Sequence, residues 1–214
     1  MLNKINSLSY PVSEETPTYG NRNKLKIQAL TSIKNGDTAN SSKWIFETNH
    51  IGTHIDFPRH FSTNGNTIDD YNPSDWVFEK IGLINTGIAN FENELFKLND
   101  DIEFLIWKSG FGNKRESREY WESQPVIPSF FADLICKKFK NLKIFGFDMI
   151  SLTSKLDRKE GKKIHEKFLC EYNILIIEDM NLLSLKDKNI KKIVVSPWHV
   201  KGADGTPCSI LSFS

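Results

Sequence analysis

The chain has 214 residues, enough for one domain with a substantial core, and its 39% apolar and 26% charged content excludes a disordered or fibrous polymer. Its 28 basic side chains nearly balance 27 acidic ones, so a net charge of +1 gives no footing for nucleic acid or an anionic membrane as partner. No apolar run approaches the roughly 20 residues that span a bilayer, and the opening Met-Leu-Asn-Lys-Ile-Asn-Ser lacks the apolar stretch of a secretory leader. The expectations are a cytoplasmic address and a single domain over residues 1–214.

In chain order, Asn-Gly-Asp-Thr-Ala-Asn-Ser-Ser at 35–42 reads as a loop. Short β-branched or aromatic runs bounded by turn residues then predict strands at 43–46, 81–85, 104–107, 143–147, 174–177 and 193–195. A helix is expected after Ser129, which can cap it, with Phe130, Leu134 and Ile135 on one face. A second is expected over 157–172, with Ile164, Phe168 and Leu169 inward and Asn173 suited to a left-handed C-cap. The basic pairs Lys137-Lys138 and Lys162-Lys163 fall on these helices and read as solvated faces. Strands interleaved with so few helices predict an α/β fold with a mixed or barrel-like sheet, and no G-x-G-x-x-G or Walker pattern supports a nucleotide fold. Cys136, Cys170 and Cys208 are odd in number and far apart, which argues against a disulfide framework or a thiolate zinc site and predicts plain thiols.

The informative segment is His50-Ile51-Gly52-Thr53-His54-Ile55-Asp56-Phe57-Pro58-Arg59-His60-Phe61, which holds three of the five histidines. Its period is two. His50, Gly52, His54, Asp56, Pro58 and His60 alternate with Ile51, Ile55, Phe57 and Phe61, so an extended chain puts the polar donors on one face and an apolar anchor on the other. Gly52, the β-branched Thr53 and Ile55, and Pro58 all oppose a helix. A straight strand would hold His50 and Asp56 about 20 Å apart, too far to share an ion. The segment must therefore bend, and Gly52 is the residue that can take the bend. Imidazole and carboxylate without thiolate suit Zn²⁺ or Mn²⁺.

H-x-G-T-H-x-D-x-P-x-H, complete here, resembles the signature of the cyclase family that includes bacterial kynurenine formamidase. The likeness continues through Ser9-Tyr10-Pro11 to Thr16-Pro17-Thr18-Tyr19-Gly20, Leu105-Ile106-Trp107-Lys108-Ser109-Gly110, Phe145-Gly146-Phe147-Asp148 with Ser151, and Gly202-Ala203-Asp204-Gly205-Thr206-Pro207. The resemblance implies a swivelling β/β/α-type domain with a mixed, barrel-like sheet. It also implies a two-metal hydrolase cleaving an amide-type C–N bond of a small molecule, either an arylformamide such as N-formylkynurenine or a cyclic amide of the isatin type. By the same resemblance His50, His54 and Asp56 bind a first ion, while Asp56 and Glu178 bridge to a second that His165 also ligates. The ions implied are zinc first and manganese second, and homodimers are typical of the family.

The resemblance makes His60 the acid/base residue, with a further metal ligand as the alternative, and puts Tyr19 on the substrate wall. Phe61 is either its neighbour there or part of the core. Asp179 competes with Glu178 for the carboxylate role, and His199, which matches no motif position, reads as structural. Lys108-Ser109 and Cys208-Ser209 stand where Arg-Thr and Val-Arg are usual, which leaves a substrate acid group held differently or absent. The competing reading is a metal-retaining ligand-binding protein of the same fold without turnover.

Overall fold

The computed structural model describes residues 4–185 and 189–214. Eleven strands are present among them: β1 Ile5–Ser7, β2 Leu25–Thr31, β3 Ser41–Phe46, β4 His54–Asp56, β5 Val77–Phe78, β6 Ile81–Asn85, β7 Phe104–Lys108, β8 Ile144–Phe147, β9 Leu175–Glu178, β10 Lys192–Pro197 and β11 Gly205–Phe213. The helices are α1 Phe91–Leu95, α2 Glu119–Glu122, α3 Phe130–Lys138 and α4 Arg158–His165. Nine strands form one mixed, barrel-like sheet in the order β5-β10-β11-β4-β9-β8-β7-β6, with β1 also on β11. β6 to β9 run parallel, and β4 joins them to the antiparallel half through β9 on one side and β11 on the other.

The parallel strands are apolar without alternation because both faces are covered. Phe104, Ile106, Ile144, Leu175 and Ile177 point into one cluster with Ile55, Val195 and Ile210. Leu105, Trp107, Phe145, Phe147 and Ile176 point into the other, against Phe131, Ile135, Ile164 and Phe168. This period-two division fixes the site. On β9 Glu178 shares the face of Ile176, towards the helices, while on β4 His54 and Asp56 face away from the cluster that holds Ile55. Because β4 and β9 are paired with His54 opposite Glu178, their side chains are direct neighbours.

The strands expected at 81–85 and 104–107 form, the latter one residue longer, and those at 143–147, 174–177 and 193–195 form with shifted ends. The strand expected at 43–46 begins at Ser41, so the loop ends earlier than its composition suggests. Three elements differ more. The segment 50–61 is extended only over His54–Asp56: Gly52 turns the chain at φ +61°, and Pro58 opens a 3-10 turn, Pro58–His60. Ser129 does not cap α3 with its side chain; its backbone N–H donates to Glu160 Oε1 instead, and Phe131, Ala132 and Ile135 are buried while Phe130 is exposed. The long helix expected to Tyr172 is α-helical only to His165 and π-helical over Glu166–Glu171, before Asn173 closes it at φ +53° as expected. Asp157 caps α4 by accepting from the N–H groups of Lys159 and Glu160.

β2 and β3 pair only with each other and are exposed along most of their length. Among the described residues no helix is long and apolar enough to cross a membrane.

Candidate metal centre

His50, His54, Asp56, His60, His165, Glu178, Tyr19 and Phe61 all line one cavity of about 460 Å³. At its floor the carboxylates of Asp56 and Glu178 are each less than 5% exposed. Each presents one oxygen to either side. Asp56 Oδ1 lies 2.8 Å from His50 Nδ1 and 3.5 Å from His54 Nε2, while its Oδ2 faces His165 Nε2 at 4.0 Å. Glu178 Oε2 lies 3.5 Å from His54 Nε2, and its Oε1 lies 3.2 Å from His165 Nε2. Two groups of donors, His54-Asp56-Glu178 and His50-Asp56-His60, have their ligand atoms within 4.8 Å of one another.

The backbone sets the imidazoles. His54 Nδ1 bonds the Gly52 carbonyl at 2.8 Å and His165 Nδ1 bonds the Gly161 carbonyl at 2.7 Å. Each therefore donates its Nδ1–H to the backbone and turns Nε2 inward, the orientation that a metal-binding histidine requires. Gly161 lets α4 come close enough, because a Cβ there would run into the Thr153 backbone. Gly205 likewise leaves room for the His50 ring.

Charge is concentrated here. Burial opposes a positive charge on His50, but the carboxylates of Asp56 and Asp204 outweigh it and push its pKa up to about 10. Burial also works against ionised Asp56, yet His50 beside it holds that carboxyl below the usual range. For His165 the burial penalty is exceeded by Glu178, which raises its pKa. Such paired donors are what a cation would displace protons from and reorganise.

His60 is exposed at the cavity mouth, with Nδ1 on Asp204 Oδ2 at 3.0 Å, and its ring packs 4.0 Å from that of His50. Phe61 lines the cavity, stacks on His165 at 4.8 Å and packs against the core cluster. Tyr19 stands on the wall, edge-on to Trp121 at 4.2 Å.

Glu178 and Asp179 take different partners. Asp179, at φ +52°, turns from the floor to accept from Arg115 Nε at 2.9 Å and Nη2 at 2.8 Å and from the Tyr120 hydroxyl at 2.6 Å. His199 lies outside the cavity, 3.3 Å from Asp69 on the surface. The three cysteines are free and none lines the cavity. Lys108 donates to the Leu183 and Leu185 carbonyls, and Ser209 pairs with Ser196 on β10, so neither departure from the family pattern lies on the cavity wall. Asp148 is a structural clasp, accepting from the N–H groups of Ser109 and Gly110.

Asp204 is the residue that sequence reasoning passed over, although it sits inside a motif already singled out. It lies 3.2 Å from His50 Nε2 as well as 3.0 Å from His60 Nδ1, and Asn49 holds its other oxygen at 2.7 Å. Arg22, Arg158 and Lys162 also line the cavity, a position the sequence does not single out, and Lys162 is at the same time solvent-exposed, as its helix face predicts. The only available signal was spacing, since Arg158, Lys162 and His165 follow at i, i+4 and i+7.

Residues 6–153 match the family model named Cyclase and described as "Putative cyclase". Kynurenine formamidase of Bacillus mycoides (strain KBAB4) is 27% identical over 206 residues, covering 94% of this chain and 92% of that protein. A solved structure described as a potential metal-dependent hydrolase with cyclase activity superposes with a TM-score of 0.74 at 22% identity, over 99% of this chain and 98% of the other. Isatin hydrolase A from Labrenzia aggregata gives a TM-score of 0.80 at 14% identity, over 99% and 93%. With more than half its length matched by the family model, the chain belongs to the cyclase family.

Proposed function

We propose that this protein is a metal-dependent hydrolase cleaving the amide-type C–N bond of a small molecule, either an arylformamide such as N-formylkynurenine or a cyclic amide. One observation carries the reading: two buried carboxylates, Asp56 and Glu178, each turn one oxygen to His54 and the other to His165. Such paired carboxylates would suit two cations, and an oxygen and imidazole donor set without thiolate fits zinc, with manganese as the second candidate. By the resemblance His50, His54 and Asp56 would hold one ion and Asp56, Glu178 and His165 the other, whereas the tightest groupings, His54-Asp56-Glu178 and His50-Asp56-His60, divide nearly the same donors differently. When bound, such ions supply Lewis acidity that makes water a nucleophile near neutral pH and polarises a carbonyl.

The chain's own residues do the rest. With Nδ1 held by Asp204, His60 keeps Nε2 for proton transfer: it takes a proton from water as the water adds to the carbonyl. The same nitrogen returns that proton to the departing amide nitrogen as the C–N bond breaks. Tyr19 and Phe61 supply flat apolar walls for an aryl group.

We read the whole chain as one domain, working in the cytoplasm as a homodimer. Three free thiols suit a reducing compartment. The two-stranded β2–β3 sheet exposes Ile27 and Trp44, paired on one of its faces, an apolar patch that a second copy would cover. Elemental analysis together with turnover on a panel of aryl formamides and cyclic amides tests the function. Bound zinc or manganese with hydrolysis of at least one member is expected. Bound metal with no hydrolysis would favour a ligand-binding protein, and protein that stays metal-free after reconstitution would end the hydrolase reading.

A further inference from the structure

Tyr19 brings a polar atom to the cavity as well as a flat ring. Among the described residues its hydroxyl oxygen is buried without a hydrogen-bond partner, a condition it shares with the side-chain oxygens of Tyr10, Tyr71 and Ser212. Of these four residues only Tyr19 lines the cavity of the metal centre. A buried tyrosine hydroxyl usually finds a partner, because an unmade bond leaves its desolvation uncompensated.

The charges that act on this phenol leave its proton free to be donated. Arg158 and Arg22 both reach it electrostatically, but a guanidinium carries donors only and cannot accept the O–H. Burial, helped by the charge of Glu178 on the floor, outweighs the arginines and raises the phenol's pKa, so at neutral pH the group keeps its proton. The ring is also held in place. Tyr19 opens a 3-10 turn, Tyr19–Asn21, in which Gly20 stands at φ +73°. The Asn21 N–H donates to the Thr18 carbonyl at 2.8 Å, and the Thr18 hydroxyl donates to the Arg22 carbonyl. Trp121 meets the ring edge-on at 4.2 Å. The donor is thus positioned before anything binds, the condition under which one hydrogen bond does most for a reaction.

We infer that Tyr19 is a catalytic residue: its hydroxyl donates a hydrogen bond to the oxygen of the scissile carbonyl, and the bond strengthens as water adds and that oxygen becomes an anion. The oxygen has lone pairs enough to accept this bond alongside any contact at the floor. The inference rests on the hydrolase reading for the reaction it serves. The unpaired donor in the cavity wall does not depend on that reading.

The test is Y19F, which removes the O–H and keeps the ring with its contact to Trp121. Metal-loaded wild type and variant are compared in formanilide turnover and in calorimetric binding of two probes. Aniline has the ring without the carbonyl, and N-phenylsulfamate carries a tetrahedral anionic group that imitates the hydrated carbonyl. Losing one preorganised donor to an oxyanion costs about 10²–10³-fold, so kcat is expected to fall about a hundredfold with KM changed by less than about twofold. N-phenylsulfamate should bind about tenfold more weakly to Y19F, and aniline equally well. Because the hydroxyl is unsatisfied in the free protein, Y19F should melt no lower than wild type and hold as much metal. An unchanged kcat would overturn the inference. So would equal weakening of aniline and the sulfamate, which would put the hydroxyl against the amine end, or a lower Tm, which would give it a structural partner. If the wild type does not hydrolyse formanilide, the hydrolase reading falls and binding decides alone: weaker sulfamate binding in Y19F supports the donor, and equal binding removes it.

Discussion

Asp204 and His60, 144 residues apart in sequence, meet at 3.0 Å through Oδ2 and Nδ1, and the same oxygen reaches His50 Nε2 at 3.2 Å. One carboxylate thus restrains both a proposed metal ligand and the proposed acid/base. Replacing His60 with Ala should remove most turnover, typically 10²–10⁴-fold for a general acid/base, while metal content stays near wild type. Parallel loss of metal would make His60 a ligand instead, a role its closeness to Asp56 also permits. D204N keeps the shape but weakens the hold on both rings, so kcat should fall by roughly 10–100-fold. A D204N enzyme with wild-type kcat would show that His60 needs no such support.

Metal loading should release protons. In the metal-free protein His50 is charged at neutral pH, because neighbouring carboxylates overcome burial and push its pKa up to about 10. A ligand imidazole must be neutral, so binding at pH 7 expels that proton. Apparent zinc affinity should therefore rise as pH increases towards 10 and fall with acidification. Calorimetric titrations in buffers of different ionisation enthalpy count the protons. A buffer-independent heat would mean that His50 either is already neutral or does not ligate.

Several of the legible strands have both faces buried, although β3 was legible while exposed, from its Trp44-Ile45-Phe46 run. Phe104–Lys108 and Ile81–Asn85 carry unbroken apolar runs, and nothing competes with that signal. β2 was missed because Leu25–Thr31 pairs only with β3 and is exposed beyond its first residue, so burial never shaped its pattern. β11 was missed because it starts within a Gly, Asp and Pro run that reads as a turn. The period-two donors of the 50–61 segment and the bend at Gly52 were readable locally. Asp204 was not: it reaches His60 through the pairing of Gly205 with Asp56 and the Phe57 N–H bond to the Asp204 carbonyl, contacts set by register between distant strands.

Gly161 tests how closely α4 must approach. Alanine is the better helix former by about 1 kcal/mol, yet the added methyl would collide with the backbone and side chain of Thr153. Overpacking of this kind costs about 1–3 kcal/mol, so G161A should be less stable than wild type by thermal denaturation. It should also push out the helix that carries His165 and lower the occupancy of the ion that His165 would hold. A stabilised G161A protein with full metal content would show that the helix has slack at this point.

Arg115 and Asp179 form a buried pair directly beneath the floor, 8% and 2% exposed, with the Tyr120 hydroxyl completing the acceptors' needs. Removing one member leaves the other charged and unsolvated, which costs on the order of 3–5 kcal/mol. R115M should therefore lower Tm by about 10 °C for a chain of this length. Adding D179N should restore part of that loss: the neutral amide needs no counter-ion, still accepts from Tyr120, and tolerates the left-handed φ of this position. Since the Thr53 hydroxyl donates to the Asp179 carbonyl at 2.6 Å, the pair also anchors the turn that leads into His54. R115M at permissive temperature should then bind metal more weakly than the double variant. If the double variant proves less stable than R115M, the charge balance is not what holds this layer together, and the fork of hydrogen bonds is.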